Sequence, residues 1–187
     1  MFRNDPQAAD TLSRVEVFDG PLDISFSQAY VASSSDRPND QDINSGFYRG
    51  QQNGLLGAAV DGLLFLTTGV QDGGVRLAVH VVDQAPDLDD SWEECVEASF
   101  APETPGVAVY DWDRVAVCQI ELGEETYRVR YTARGMDSSR SGEGVRESYG
   151  LWFWPAPAMP DAIIRQTSAQ AAYWHGAWWG MVGREGR

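Results

Sequence analysis

The segment Tyr127–Asp137, YRVRYTARGMD, alternates so regularly that Tyr127, Val129, Tyr131 and Ala133 share one face of a strand, while Arg128, Arg130, Thr132 and Arg134 share the other. The same period of two recurs along most of the chain. Val15 and Val17, then Leu22, Ile24 and Phe26, alternate with polar positions on either side of Asp19-Gly20-Pro21, which predicts two short strands and a turn. Gly57–Thr68 and Val75–Val82 are apolar β-type runs flanking GVQDGG, a hairpin pattern whose glycines suit positive φ. Trp92, Glu94, Val96, Ala98 and Phe100 form one face of a further strand, followed by Val107–Tyr110, Val115–Leu122 and Tyr149–Trp154.

Two stretches break the pattern. Residues 33–53, SSSDRPNDQDINSGFYRGQQN, are almost entirely polar and read as a long surface loop, and SSRSGEG, starting at Ser138, reads as a mobile connection. After Pro155 and Pro157 close the last strand, Pro160 suits a first helical position, and Ile163, Ile164, Thr167, Ala171 and Trp174 recur at helical spacing. The expected organisation is a flexible segment 1–12, a β domain 13–159, a helix 160–178 and a tail 179–187. Eight or nine short strands joined by tight turns, with one helix at the end, predict an all-β antiparallel sandwich. Its core is expected to hold Leu64, Leu66, Val79, Val81, Val96, Phe100, Val129 and Tyr131.

Composition narrows the function classes. At 187 residues and 43% hydrophobic content the chain supports one folded domain, and no apolar run approaches the ~20 residues of a bilayer span. MFRNDPQAADTLSR has neither a basic region joined to an apolar run nor an amphipathic Arg/Ser pattern, so a cytoplasmic location is expected, with Cys95 and Cys118 reduced. The formal net charge of -14 disfavours direct nucleic-acid binding, because such a surface repels phosphate, and favours a basic protein partner. All cationic side chains are arginine, each a planar fork for carboxylates. His80 and His175 are too few and too isolated for a histidine-based zinc site, so no metal or cofactor is expected.

Three constellations carry candidate chemistry. Asp83, Asp87, Asp89, Asp90, Glu93, Glu94 and Glu97 crowd one window, either as a solubilising loop beside a charged strand or as a surface that steers a basic nuclease or toxin. Arg128 and Arg130 are read either as cross-strand partners of Glu93 and Glu97 or, with Arg134, as a fork-shaped anion site. Trp152, Trp154, Tyr173 and Trp174 are expected to pack the helix on the sheet, whereas Trp178 and Trp179 lie beyond the best helical pattern and are candidate interface anchors. No Gly-x-Ser-x-Gly elbow, phosphate-binding glycine loop or Cys-x-x-Cys pair occurs. The sequence therefore favours a non-catalytic protein-binding module. A sandwich that binds a small anion or sugar, and an enzyme of unrecognised type, are the alternatives.

The strand LDISFSQAY (Leu22–Tyr30), the polar loop, GAAVDG (Gly57–Gly62), WEECVEASF (Trp92–Phe100) and GEETYRVRY (Gly123–Tyr131) together resemble the competence protein J family, small bacterial inhibitors of a DNA-entry nuclease. The resemblance covers roughly residues 13–137, and the chain from Tyr149 onward extends beyond that pattern. ARGMD (Ala133–Asp137) and AAYWH (Ala171–His175) are similar to segments of uncharacterised actinobacterial proteins. The family resemblance implies a compact β-sandwich that binds and inhibits a protein.

Overall fold

A computed structural model describes residues 14–33, 46–138 and 146–182. The expected flexible start 1–12, most of the polar loop, most of SSRSGEG and the end of the tail lie outside these residues. Among the described residues eleven strands form two sheets: β1 (Arg14–Ile24), β2 (Gln28–Ser33), β3 (Leu56–Gly57), β4 (Leu63–Thr67), β5 (Gly73–Val82), β6 (Glu94–Phe100), β7 (Val107–Tyr110), β8 (Ala116–Ile120), β9 (Tyr127–Arg134), β10 (Ser148–Pro155) and β11 (Ala162–Arg165), with one helix, α1 (Ala169–Val182). The six-stranded sheet runs β1-β5-β10-β9-β6-β11 and the five-stranded sheet β3-β4-β2-β7-β8. All pairings are antiparallel except β5 with β10.

The inner faces of the two sheets form the core of a sandwich. Val129, Tyr131, Leu151, Phe153, Val79 and Val96 from the larger sheet meet Val31, Leu64, Leu66, Val109 and Ile120 from the smaller one. The expected core residues lie there, with Val81 partly buried at its margin. A polar seam crosses the layers: the Tyr131 hydroxyl donates to the Thr67 carbonyl (3.2 Å), and Thr67 Oγ1 meets the Tyr48 hydroxyl at 2.6 Å. The smaller sheet is covered on both faces. Phe47 and Tyr48, at the end of the stretch read as a polar surface loop, pack with Tyr30, Phe65 and Tyr110 on its outer side. That explains why β4, LLFLT, is buried at every position instead of alternating.

β4 and β5, expected to pair as a hairpin about GVQDGG, lie in different sheets, so that turn carries the chain from one layer to the other. Three further local expectations are corrected. Arg14–Ile24 is one strand, not two: β1 lies at the sheet edge, so Pro21 is paired beside Arg76 without needing to donate to a neighbour, and a bulge between Glu16 and Phe18 absorbs the irregularity. Next, residues 162–165 form an edge strand, with Ile163 opposite Val96, instead of the start of a helix. The carbonyls of Met159 and Pro160 are held by Arg128, which keeps the chain extended there.

Finally, the helix begins at Ala169 and continues to Val182, past the expected end at 178. Its start is set by caps that the periodicity did not reveal. Ser168 Oγ accepts the Ala171 N–H (3.1 Å), Asp137 accepts those of Ala169 and Gln170 (3.0 and 2.9 Å), and the fully buried Glu94 accepts the Ser168 N–H (2.7 Å). Among the described residues no helix is long and apolar enough to cross a membrane.

The helix is seated on the segment after the loop. Gly54 donates its N–H to His175 Nδ1 at 2.9 Å, and a Cβ at Gly54 would lie 2.1 Å from the Trp174 carbonyl oxygen. Because that clash is with backbone, Gly54→Ala is expected to lower the free energy of unfolding by about 1–3 kcal/mol in urea denaturation. Gly176→Ala, whose Cβ meets nothing within 4 Å, should leave it unchanged or raise it slightly.

Candidate functional site

The outward face of the six-stranded sheet is where the alternating arginines point, and its registers organise them in rows. One row reads Glu97, Arg130, Trp152, His80, Glu16 across β6, β9, β10, β5 and β1. The next row is small: Cys95, Thr132, Gly150, Ala78, then Asp19. A third contains Arg134, Ser148 and Arg76. Small side chains between two rows of large ones make a trough, and the segment from Pro86 to Trp92 rims it, giving a groove with a cavity of about 820 Å³. Gly150 is required in its floor. A Cβ there would meet Thr132 Oγ1 at 2.6 Å, Trp152 Nε1 at 3.0 Å and the Trp92 ring at 3.2 Å.

Both tryptophans carry guanidinium groups on their faces: Arg14 over Trp152 at 4.6 Å and Arg134 over Trp92 at 5.1 Å. Trp152 also stacks on His80 at 3.9 Å.

Arg128 and Arg130 serve the sheet. Glu97 takes one arginine on each oxygen, Arg128 Nε at 3.1 Å and Arg130 Nη2 at 2.8 Å. Both arginines are buried, 5% and 8% exposed, because loops cross above them. Further donors reach those loops: Arg130 Nη1 the Pro86 carbonyl (2.7 Å), Arg128 Nη1 the Pro160 carbonyl (2.8 Å). Arg134 is separate from this pair, exposed at the groove wall.

The acidic window does not form one surface. Glu93 accepts the Gly135 N–H (2.8 Å), Glu94 is buried at the helix start and Glu97 lies between the arginines. Asp83 is exposed ahead of the rim segment, and Asp87, Asp89 and Asp90 are exposed along it. Asp89 folds back onto the Ser91 N–H (2.8 Å), and this amide holds its carboxyl below the usual value. Arg165, which periodicity had placed in a helix, grips the segment through the Asp89 and Trp92 carbonyls (3.1 and 2.9 Å) and the Asp90 carboxylate (2.6 Å). Trp178 and Trp179 fall within α1.

The groove contains a histidine and a cysteine, and neither is set up for nucleophilic chemistry. Burial first, and Arg14 second, push His80 down to about 4, so the ring is neutral at pH 7. An Arg14 guanidinium nitrogen stands 3.3 and 3.4 Å from the two ring nitrogens, and Glu16 is 3.9 Å from Nδ1. Burial pushes the Cys95 thiol up to about 11, which keeps it protonated. Among the described residues no group of three or more His, Cys, Asp or Glu is arranged to hold a metal ion.

Comparison with known proteins gives a likeness of fold. No family model and no curated protein matches the chain. Two solved structures do. ComJ from Bacillus subtilis, described as an inhibitor of the DNA degrading activity of NucA, is 15% identical with a TM-score of 0.54, covering 76% of this chain and 98% of its own. The product of crocagin biosynthetic gene J is 14% identical with a TM-score of 0.52, covering 78% of this chain and 99% of its own.

Two outcomes follow from the site. Glu97→Ala strands two buried guanidinium groups and should cost about 3–5 kcal/mol in denaturant unfolding, more than loss of either arginine alone. The second concerns pH. The unfolded chain protonates His80 near 6.5 and the folded chain only near 4, so stability from the neutral ring is complete above 6.5 and declines as pH falls toward 4. His80→Gln should therefore show a smaller fall in urea midpoint between pH 7 and pH 5 than the unaltered protein, with burial of His175 contributing the same sign in both.

Proposed function

We propose that the protein is a non-catalytic binding module of inhibitor or immunity type that docks on a basic protein such as a nuclease or toxin. The observation that carries the reading is the architecture shared with ComJ over nearly all of that inhibitor's length. Charge supports it: a net -14 attracts a basic partner and disfavours direct contact with nucleic acid. The rim segment supplies a docking edge. Arg130 and Arg165 hold its carbonyls from beneath and Arg165 also holds the Asp90 carboxylate, so Asp87 and Asp90 stand in a fixed frame and little ordering entropy is lost on binding. The groove's own chemistry favours binding over turnover, since its imidazole is neutral and its thiol protonated.

A second reading, a small anion or sugar site, is favoured by the dimensions of the groove, which fall in the range of small-molecule pockets, and by Trp92 and Trp152 in its walls. Stabilisation by inorganic phosphate or monosaccharides in a thermal-shift screen, lost in Trp152→Ala, would assign the groove to such a ligand.

The primary reading is tested by affinity purification from the native host followed by reconstitution with the purified partner. A basic protein is expected. Asp87→Arg combined with Asp90→Arg should slow its association roughly tenfold at low salt, with the difference shrinking as salt rises. A partner of acidic character, or an association rate indifferent to both charge reversal and salt, would remove the reading.

A further inference from the structure

The tight turn joining β1 to β2 has an unexpected occupant. Its central residues, Phe26 and Ser27, have φ of 58° and 60°, the left-handed pair of a type I′ turn, which glycine and asparagine fill most readily. A bulky aromatic there is an outlier. The turn itself is well tied, Ser27 donating its N–H to the Gln71 carbonyl (2.9 Å) and accepting from the Thr68 N–H (3.1 Å), while the Phe26 N–H reaches Asp72 Oδ1 at 3.3 Å. None of these bonds uses the phenyl ring, which is 55% exposed.

The ring meets Trp112 at 4.8 Å, on the loop between β7 and β8. That loop is also braced at a left-handed residue: Arg114 has φ of 66°, and Asp111 Oδ1 accepts the Val115 N–H at 2.8 Å. Val115, on the same loop, is 59% exposed. Two braced turns thus present Phe26 and Val115, with the half-buried Trp112 behind the Phe26 ring, at one end of the sandwich, and Asp23, Asp72, Asp111, Asp113 and Arg114 stand in the flanking positions.

We propose that this corner is the apolar anchor for the protein partner, inserting Phe26, braced by Trp112, into an apolar pocket surrounded by basic residues. The proposal rests on the binding-module reading above and adds where the partner's apolar contact is made. Strain retained in a position that glycine or asparagine would relieve points to a role outside the fold. An exposed aromatic on a pre-ordered turn, backed by a half-buried one, is the kind of side chain that dominates interface affinity, and the aspartates, four against the single Arg114, set the sign of the partner's rim.

The test places photoreactive benzoylphenylalanine at position 26 of the full chain in the native host, with position 103 as an exposed control, identifies the adduct and titrates the purified adduct protein by calorimetry. The expected result is an adduct with a basic protein from position 26 only. Its affinity should fall at least ~30-fold with Phe26→Asn and with Trp112→Ala, while the melting temperature of Phe26→Asn is unchanged or raised. An adduct with a second copy of this chain, no adduct, or an affinity within threefold of the unaltered protein would overturn the anchor. In the last two cases the binding-module reading survives if the unaltered protein still retains a basic partner in the affinity purification, and falls with the anchor if it retains none.

Discussion

One carboxylate sandwiched between two guanidinium groups governs how the outer face of the larger sheet is built. Burying Arg128, Glu97 and Arg130 together costs desolvation that the two ion pairs alone do not repay, since one charge remains in excess. Backbone carbonyls make up the difference: Pro86 and Asp87 on one side, Met159 and Pro160 on the other. The arginines can therefore stay buried only if both loops lie across the sheet. Those loops become the rim of the groove and the approach to β11, so a charge problem inside the sheet sets the shape of its surface.

The second constraint is the seating of α1, which has no pronounced apolar stripe of its own to hold it. Its first turn is fixed by side chains from elsewhere, Glu94 from β6 and Asp137 from the turn after β9. Both stand at the end of the strands that carry the arginine row. Helix position and groove geometry are consequently coupled through β6, whose alternate residues cap the helix (Glu94), pair the arginines (Glu97) and fill the core (Val96, Ala98).

Strands were legible where one face was wet or charged. The alternation of YRVRYTAR placed β9 and its core face, and pointed to a carboxylate on the 92–100 strand as partner of Arg128 and Arg130. What alternation could not convey is burial above the outer face: the same arginines would be exposed but for loops whose path depends on tertiary contacts. Arg165 illustrates the limit. Ile163, Ile164 and Thr167 fit helical spacing by coincidence, and only pairing with Cys95 and Val96 reveals a strand. The acidic window was misleading in the opposite sense, since proximity in sequence says nothing of direction, and Glu93, Glu94 and Glu97 depart to three different tasks. Phe26 does leave a trace in the sequence, because SFSQ between two β runs is a turn-length gap without the glycine or asparagine such a turn prefers.

Electrostatics separates the attraction of a partner from its orientation. The groove is lined by four arginines, Arg14, Arg76, Arg130 and Arg134, and four carboxylates, Glu16, Asp19, Asp87 and Asp89, so its formal balance is zero within a chain of -14. The excess negative charge resides elsewhere. At physiological ionic strength fields decay over ~8 Å, so an approaching molecule senses that excess first and the groove's mixed pattern only on close contact. Long-range attraction is then unselective among basic molecules, and discrimination falls to short-range features held in place by the buried ion pairs and strained turns. A fold that spends its arginines on fixing its own loops gives up a simple cationic surface and gains a rigid, patterned one.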